Sequence, residues 1–183
     1  MTLLAGVGLG ASGPLGPRFL RQAWTALASR REVTLLALSP LYWSAPWGGG
    51  TEAPFANGAV VLSSPLTPRG LLALLQQVER HHGRVRGKRY GGRSLDLDLL
   101  CVAGVTMTTT ELSLPHPRLL ERPFALLPLL DAWGRAGQPV PAAWSLAARR
   151  LSRRGLSLLE DPGAGGEELK HQVTGPRQHA VTS

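Results

Sequence analysis

Two aspartates stand two residues apart in the run Leu95-Asp96-Leu97-Asp98-Leu99-Leu100. Period-two alternation sends both carboxylates to one strand face and Leu95, Leu97 and Leu99 to the other. Carboxylates roughly 7 Å apart on a strand repel each other unless a cation sits between them, and such hard oxygen ligands suit Mg2+. An isolated Asp-x-Asp is more often a half-exposed strand with two solvated side chains. Here the preceding residues reverse those odds. Arg84-Val85-Arg86-Gly87-Lys88-Arg89-Tyr90-Gly91-Gly92-Arg93 sets cations and flexible glycines directly before the carboxylate strand. Arginine forks match phosphate oxygens in pairs, and a glycine-rich loop can close over a ligand. A cationic loop beside an anionic strand fits a metal-bridged polyphosphate. A nucleic-acid patch would explain the arginines but not the aspartates.

A third cluster runs Leu114-Pro115-His116-Pro117-Arg118, with Arg122 and Phe124 shortly after. Pro117 suits the first turn of a helix, which would leave His116 and nearby backbone N–H groups at an anion-binding end. Taken alone, a His-Pro pair marks a helix start and nothing more. Other reactive residues carry less. Cys101 is the single cysteine and lies in an apolar run, so it reads as a buried strand thiol. His81 and His82 read as a solvated helix end with no metal role. Arg149, Arg150, Arg153 and Arg154 form a second basic cluster with no carboxylate or glycine loop beside it, and read as a solvated face.

Such chemistry needs a rigid scaffold, and 183 residues, 43% of them hydrophobic and 17% charged, can bury one core without a second domain. Residues 2–9 are apolar throughout, as in a strand buried on both faces, and 10–16 make a loop. Residues 18–29 carry Leu20, Trp24 and Leu27 at helical spacing. Strands are predicted over 33–42 and 56–63, separated by a Pro/Gly/Trp loop. The next helix has Thr67 as cap, Pro68 in its first turn, Leu71, Leu74, Leu75 and Val78 as its face, and Gly83 as its stop. Residues 83–94 lack hydrophobic periodicity and predict a mobile loop. A strand over 95–102, a return over 105–109, and helical cover from 117–130 and 142–150 complete the reading. The predicted class is α+β: a ferredoxin-like βαββαβ core with an antiparallel sheet, both core helices on one face, and additional C-terminal helices. One domain is expected over 1–160 and a disordered tail over 161–183, which is rich in Gly, Pro and polar residues.

Composition narrows the partners. Apolar runs such as 124–130 fall well short of the roughly 18 residues of a membrane span. Residues 1–10 lack a basic leader and are followed by a glycine-rich loop rather than a cleavage site. The expectation is a cytoplasmic monomer with no membrane partner. A formal charge of +8 asks for an anionic ligand. A ferredoxin-like nucleic-acid-binding module would want exposed aromatics among basic strands, whereas aromatic residues make up 5% of this chain and a carboxylate pair lies on its sheet. We therefore expect small-molecule substrates and no nucleic acid.

The ordered set Arg84-x-Arg86, Arg93-x-x-Asp96-Leu97-Asp98-Leu99-Leu100, Pro115-His116-Pro117-Arg118 and Arg122-x-Phe124 resembles the 6-hydroxymethyl-7,8-dihydropterin pyrophosphokinase family. Ser39-x-x-Tyr42, Pro46, Phe55-x-Asn57 and Gln76 with Glu79 extend the likeness over about residues 3–130. Any one motif is weak, but the ordered set is specific. The resemblance implies an ATP-dependent diphosphotransferase of folate biosynthesis. It would move pyrophosphate from Mg-ATP to the hydroxyl of 6-hydroxymethyl-7,8-dihydropterin, giving AMP and the pterin diphosphate.

The resemblance further implies that Asp96 and Asp98 bind two Mg2+ ions and act in catalysis with Arg84 and Arg93. Arg84, Arg86, Arg93, His116 and Arg122 would contact the triphosphate, with Gln76, Glu79, Tyr90, Leu99 and Ser113 also at the nucleotide site. Phe55, Asn57 and Phe124 would hold the pterin, with Gly10, Ser44, Ala45, Trp47 and Tyr90 around it. Aromatic faces suit a flat ring, and Asn57 can offer its amide edge both a donor and an acceptor. The chain departs from the family where Gly10-Ala11-Ser12-Gly13-Pro14 replaces Gly-Ser-Asn-Leu-Gly, Tyr90 replaces a common tryptophan and Gly92 a common proline. A catalytically silent paralogue is the other alternative, against which the retained Asp96, Asp98, Arg93 and His116 argue.

Overall fold

The computed structural model describes residues 2–45, 53–82, 95–151 and 155–160. The apolar start of the chain forms β1 (Leu3–Ser12), which outruns the predicted strand because residues 10–12 keep pairing with residues 55–57. It is followed by α1 (Gly16–Ala28), β2 (Thr34–Leu38), β3 (Leu41–Ser44), β4 (Phe55–Ser64), α2 (Pro68–His81) and β5 (Asp96–Val102). The predicted strand over 33–42 is divided at Pro40, which has no N–H to give to a ladder. Buried Ser39 bridges the break: its Oγ accepts from the Ala59 N–H at 2.8 Å and donates to the Pro40 carbonyl at 2.6 Å.

The return over 105–109 is reduced to a single bridge between Val102 and Val105 and a small ribbon, β6 (Met107–Thr108) with β7 (Ser113–Leu114). After α3 (Pro123–Arg135) and α4 (Ala142–Arg150), the chain adds a strand that sequence reading missed, β8 (Leu156–Glu160), which pairs with β3. The main sheet runs β5-β1-β4-β3-β8, with β2 also on β4, and every pair is antiparallel.

Two apolar layers cover the sheet. Leu20, Trp24 and Leu27 of α1 and Leu71, Leu75 and Val78 of α2 pack with Ala5, Val7, Leu9, Val60 and Leu97, as their helical and strand periods predict. The cap of α2 forms as expected, Thr67 Oγ1 accepting from the Gly70 N–H at 3.2 Å. On the opposite side Leu126, Leu129 and Trp133 of α3, with Trp144 of α4 edge-on to Trp133 at 5.2 Å, pack with Ala59, Val61 and Cys101. The helix predicted over 117–130 begins instead at Pro123, after a 3-10 turn at Leu119–Glu121. Pro123 lacks the N–H that a helix started at 117 would need there, and its fixed φ suits the first turn of a new one. The predicted Gly83 stop, the 83–94 loop and the tail lie outside the described residues. Among those described, no helix is long and apolar enough to cross a membrane.

Candidate active site

The carboxylates of β5 lie where its neighbour has no side chains. Asp96 pairs with Gly10 and Asp98 with Gly8 on β1, while across β1 Gly10 pairs with Asn57 and Gly8 with Ala59. Asn57 in turn pairs with Tyr42 on β3, so Asp96, Gly10, Asn57 and Tyr42 form one row over four strands. A register shift between Gly6 and Val7 brings Leu100 and Cys101 both into the α3-side layer. The glycines of β1 serve different ends along that face. A Cβ at Gly6 would fall 2.5 Å from Leu129 Cδ1, so glycine there lets α3 approach; at Gly10 the nearest atom would be Asn57 Oδ1 at 3.9 Å, so glycine there keeps the floor open.

Between that floor and the first turn of α3 lies a cavity of about 200 Å3. Asp96, Asp98, His116 and Arg122 line it together with Ser44, Ala45, Phe55, Asn57 and Phe124, among others, over Gly8 and Gly10. His116 is tied to the carboxylate strand by its N–H, which donates to the Leu100 carbonyl at 2.7 Å. Its ring Nδ1 accepts from the Arg118 N–H at 3.2 Å, so the neutral ring carries its proton on Nε2. Burial holds the His116 pKa below the ordinary 6.5; Arg122 and Arg118 push the same way and Asp98 opposes them. The Arg122 guanidinium lies over the Phe124 ring, 5.9 Å from its centroid. The anion-favouring helix end is therefore the start of α3 at Arg122, and not a helix begun at Pro117.

Residues 6–133 match the 7,8-dihydro-6-hydroxymethylpterin-pyrophosphokinase (HPPK) family. The chain belongs to that family. It is 39% identical over 133 residues to a 2-amino-4-hydroxy-6-hydroxymethyldihydropteridine pyrophosphokinase of Bacillus subtilis, covering 72% of this chain and 78% of the relative. It is 41% identical over 130 residues to a folate synthesis bifunctional protein, mitochondrial, of Pisum sativum, covering 70% of this chain and 25% of that one. Among solved structures, Plasmodium falciparum HPPK-DHPS with pteroate superposes with a TM-score of 0.63 at 14% identity, over 84% of this chain and 43% of that one. The chain thus spans under half of that Plasmodium falciparum chain, and at this identity the likeness is one of fold.

Several residues that the resemblance to HPPK proteins assigns to one site meet in the cavity, and others do not. Asn57, 5% exposed, donates through Nδ2 to Ser44 Oγ and to the Phe55 carbonyl, each at 3.0 Å. Its amide hydrogens are thereby engaged, which leaves Oδ1 as its acceptor toward the cavity. Glu79 is buried on α2 and accepts the Leu97 N–H at 2.7 Å, holding the strand between the two aspartates without lining the cavity. Leu99 points into the layer beneath α1 and α2, Gln76 is exposed on α2, and Ser113 sits on β7; none lines the cavity.

Trp47, Arg84, Arg86, Tyr90 and Arg93 lie outside the described residues. Gly8, Leu100 and Ala125 line the cavity and were not anticipated, although Gly6-x-Gly8-x-Gly10 has the period of a strand face. Burial pushes the Cys101 thiol up to about 12, which fits a packing role. Arg149 and Arg150 are exposed in the last turn of α4 and do not line the cavity.

Proposed function

We propose that this chain transfers the pyrophosphoryl group of ATP to the hydroxymethyl group of 6-hydroxymethyl-7,8-dihydropterin, releasing AMP and serving folate biosynthesis. The observation that carries the reading is the cavity itself, which joins a paired-carboxylate and cationic part to an aromatic, amide-bearing part on one sheet face. Membership of the HPPK family supports it independently. The strand and helix order from β1 to β5, with sheet order β5-β1-β4 and then β2 and β3, supports reading the core as ferredoxin-like.

In the reaction the pterin alcohol oxygen bonds to the β-phosphorus as the bond from that phosphorus to the α–β bridging oxygen breaks. AMP leaves with the electron pair, and the alcohol proton passes to solvent. Such chemistry asks a protein for placement and charge neutralisation more than for a nucleophile. Phe55 and Phe124 offer faces to the flat ring, and Asn57 Oδ1 accepts a ring N–H. His116, neutral near pH 7, offers Nε2–H to a phosphate oxygen, and Arg122 with the first turn of α3 faces further negative charge.

Asp96 and Asp98 would hold Mg2+, in our reading two ions. Among the described residues no three His, Cys, Asp or Glu side chains gather at one point, and a carboxylate pair completed by phosphate and water oxygens is a donor set Mg2+ accepts. Bound there, the metal would offset phosphate charge. Arg84, Arg86 and Arg93, from the segment preceding β5, would add cations. The test is incubation with Mg-ATP and the hydroxymethyl pterin, with nucleotide products resolved by chromatography. AMP formed in step with pterin diphosphate is expected; ADP, or no pterin-dependent product, would overturn the assignment.

A further inference from the structure

The pterin part of the cavity has two walls from separate parts of the fold, Phe55 and Asn57 on β4 and Phe124 on α3. Apolar packing holds α3 to the sheet, and directional bonds between the two, such as Arg135 Nη1 to the Leu38 carbonyl at 3.4 Å, add to it in fixing the rotation and sliding of the helix. One contact is suited to that. Buried Tyr42 donates its hydroxyl hydrogen to Asp131 Oδ2 at 2.6 Å, a short hydroxyl-to-carboxylate bond. Tyr42 is the register partner of Asn57. Asp131 follows Phe124 by seven residues, about two helical turns, so the two share a face of α3. The bond thus joins the neighbour of one wall to the helix that carries the other.

We propose that Tyr42 and Asp131 are a positioning pair that sets the spacing and orientation of Phe124 against Asn57, and so the affinity for the flat pterin ring. This rests on the function proposed above. Neither residue lines the cavity, so the pair acts through the walls and does not touch substrate. The phosphate end depends on it only through Arg122, which stands at the start of α3. Asp96 and Asp98 lie on β5, which α2 holds through Glu79, and His116 is bonded to the same strand.

The experiment is steady-state kinetics of Tyr42→Phe, which removes only the hydroxyl, with thermal melting as a check on the fold. The expected result is a rise of about tenfold in KM for the pterin, with kcat and KM for ATP within about threefold. Asp131→Asn, which keeps an acceptor, should be milder than Asp131→Ala, and Tyr42→Phe combined with Asp131→Ala should be no worse than the more damaged single variant. The Asp131 pair carries the same test if Tyr42→Phe does not accumulate folded. An unchanged pterin KM, an equal rise in both KM values, or additive double-variant effects would overturn the pairing. Failure of the unmodified protein to make AMP would instead overturn the reading on which it rests.

Discussion

The two faces of β1 are built from the same ten residues and do opposite work. Toward α1 and α2 it presents Ala5, Val7, Leu9 and Ala11, all buried in a continuous apolar layer. Toward α3 it presents Gly6, Gly8 and Gly10; Gly6 is packed against Leu129 and Cys101, Gly8 against Leu100, and Gly10 alone of the three is open. The filled face anchors the strand, while the bare face at Gly10 leaves room for a ligand between the Asp96–Asp98 edge and Asn57. A site of this kind is made by withholding side chains from a strand whose position is already secured from behind. Stability and function should therefore separate by face.

The largest expected effect tests the functional face. Asp96→Asn and Asp98→Asn remove charge from partly open positions that no core depends on. Each should lower kcat/KM on the order of 10²-fold or more, the scale of losing one preorganised electrostatic group, while the melting temperature holds. Near-normal turnover in either folded variant at saturating Mg2+ would remove the carboxylates from the mechanism.

Two alanine substitutions sharpen the contrast within β1. Gly6→Ala forces a methyl group against Leu129 and Cys101 and should cost about 1–3 kcal/mol of stability, read by denaturant titration. Gly10→Ala meets nothing closer than 3.9 Å, so its stability should be nearly unchanged while the pterin KM rises, because the new methyl group enters the floor. Equal stability loss at both positions would mean that the bare face is structural throughout.

The smallest effect concerns His116. With its folded pKa below 6.5, the unfolded chain binds the proton more readily, so stability is full above 6.5 and is lost as pH falls through the folded value. The ring is only partly buried, so the slope should be shallow. A chemical-denaturation series across that interval should show it in the unmodified protein and not in His116→Asn. The same slope in both would assign it elsewhere.

Local signals alone determined a good deal. The alternation of Leu95 to Leu99 placed both aspartates on one face, and the periodic leucines, Thr67 and Pro68 marked α2, because period and capping depend on neighbours a few residues apart. The ordered motifs pointed to the family, and several of the residues they single out line one cavity. Other features depend on residues distant in the chain. Whether residues 10–12 form loop or strand was decided by a partner at 55–57, and β8 exists because β3 offers an edge to pair with. The hydrogen bonds of Asn57 and Glu79 were decided the same way. Asn57 donates to Ser44 and the Phe55 carbonyl, and Glu79 accepts the Leu97 N–H. A side chain's type lists the bonds it can make; only packing decides which of them are already taken.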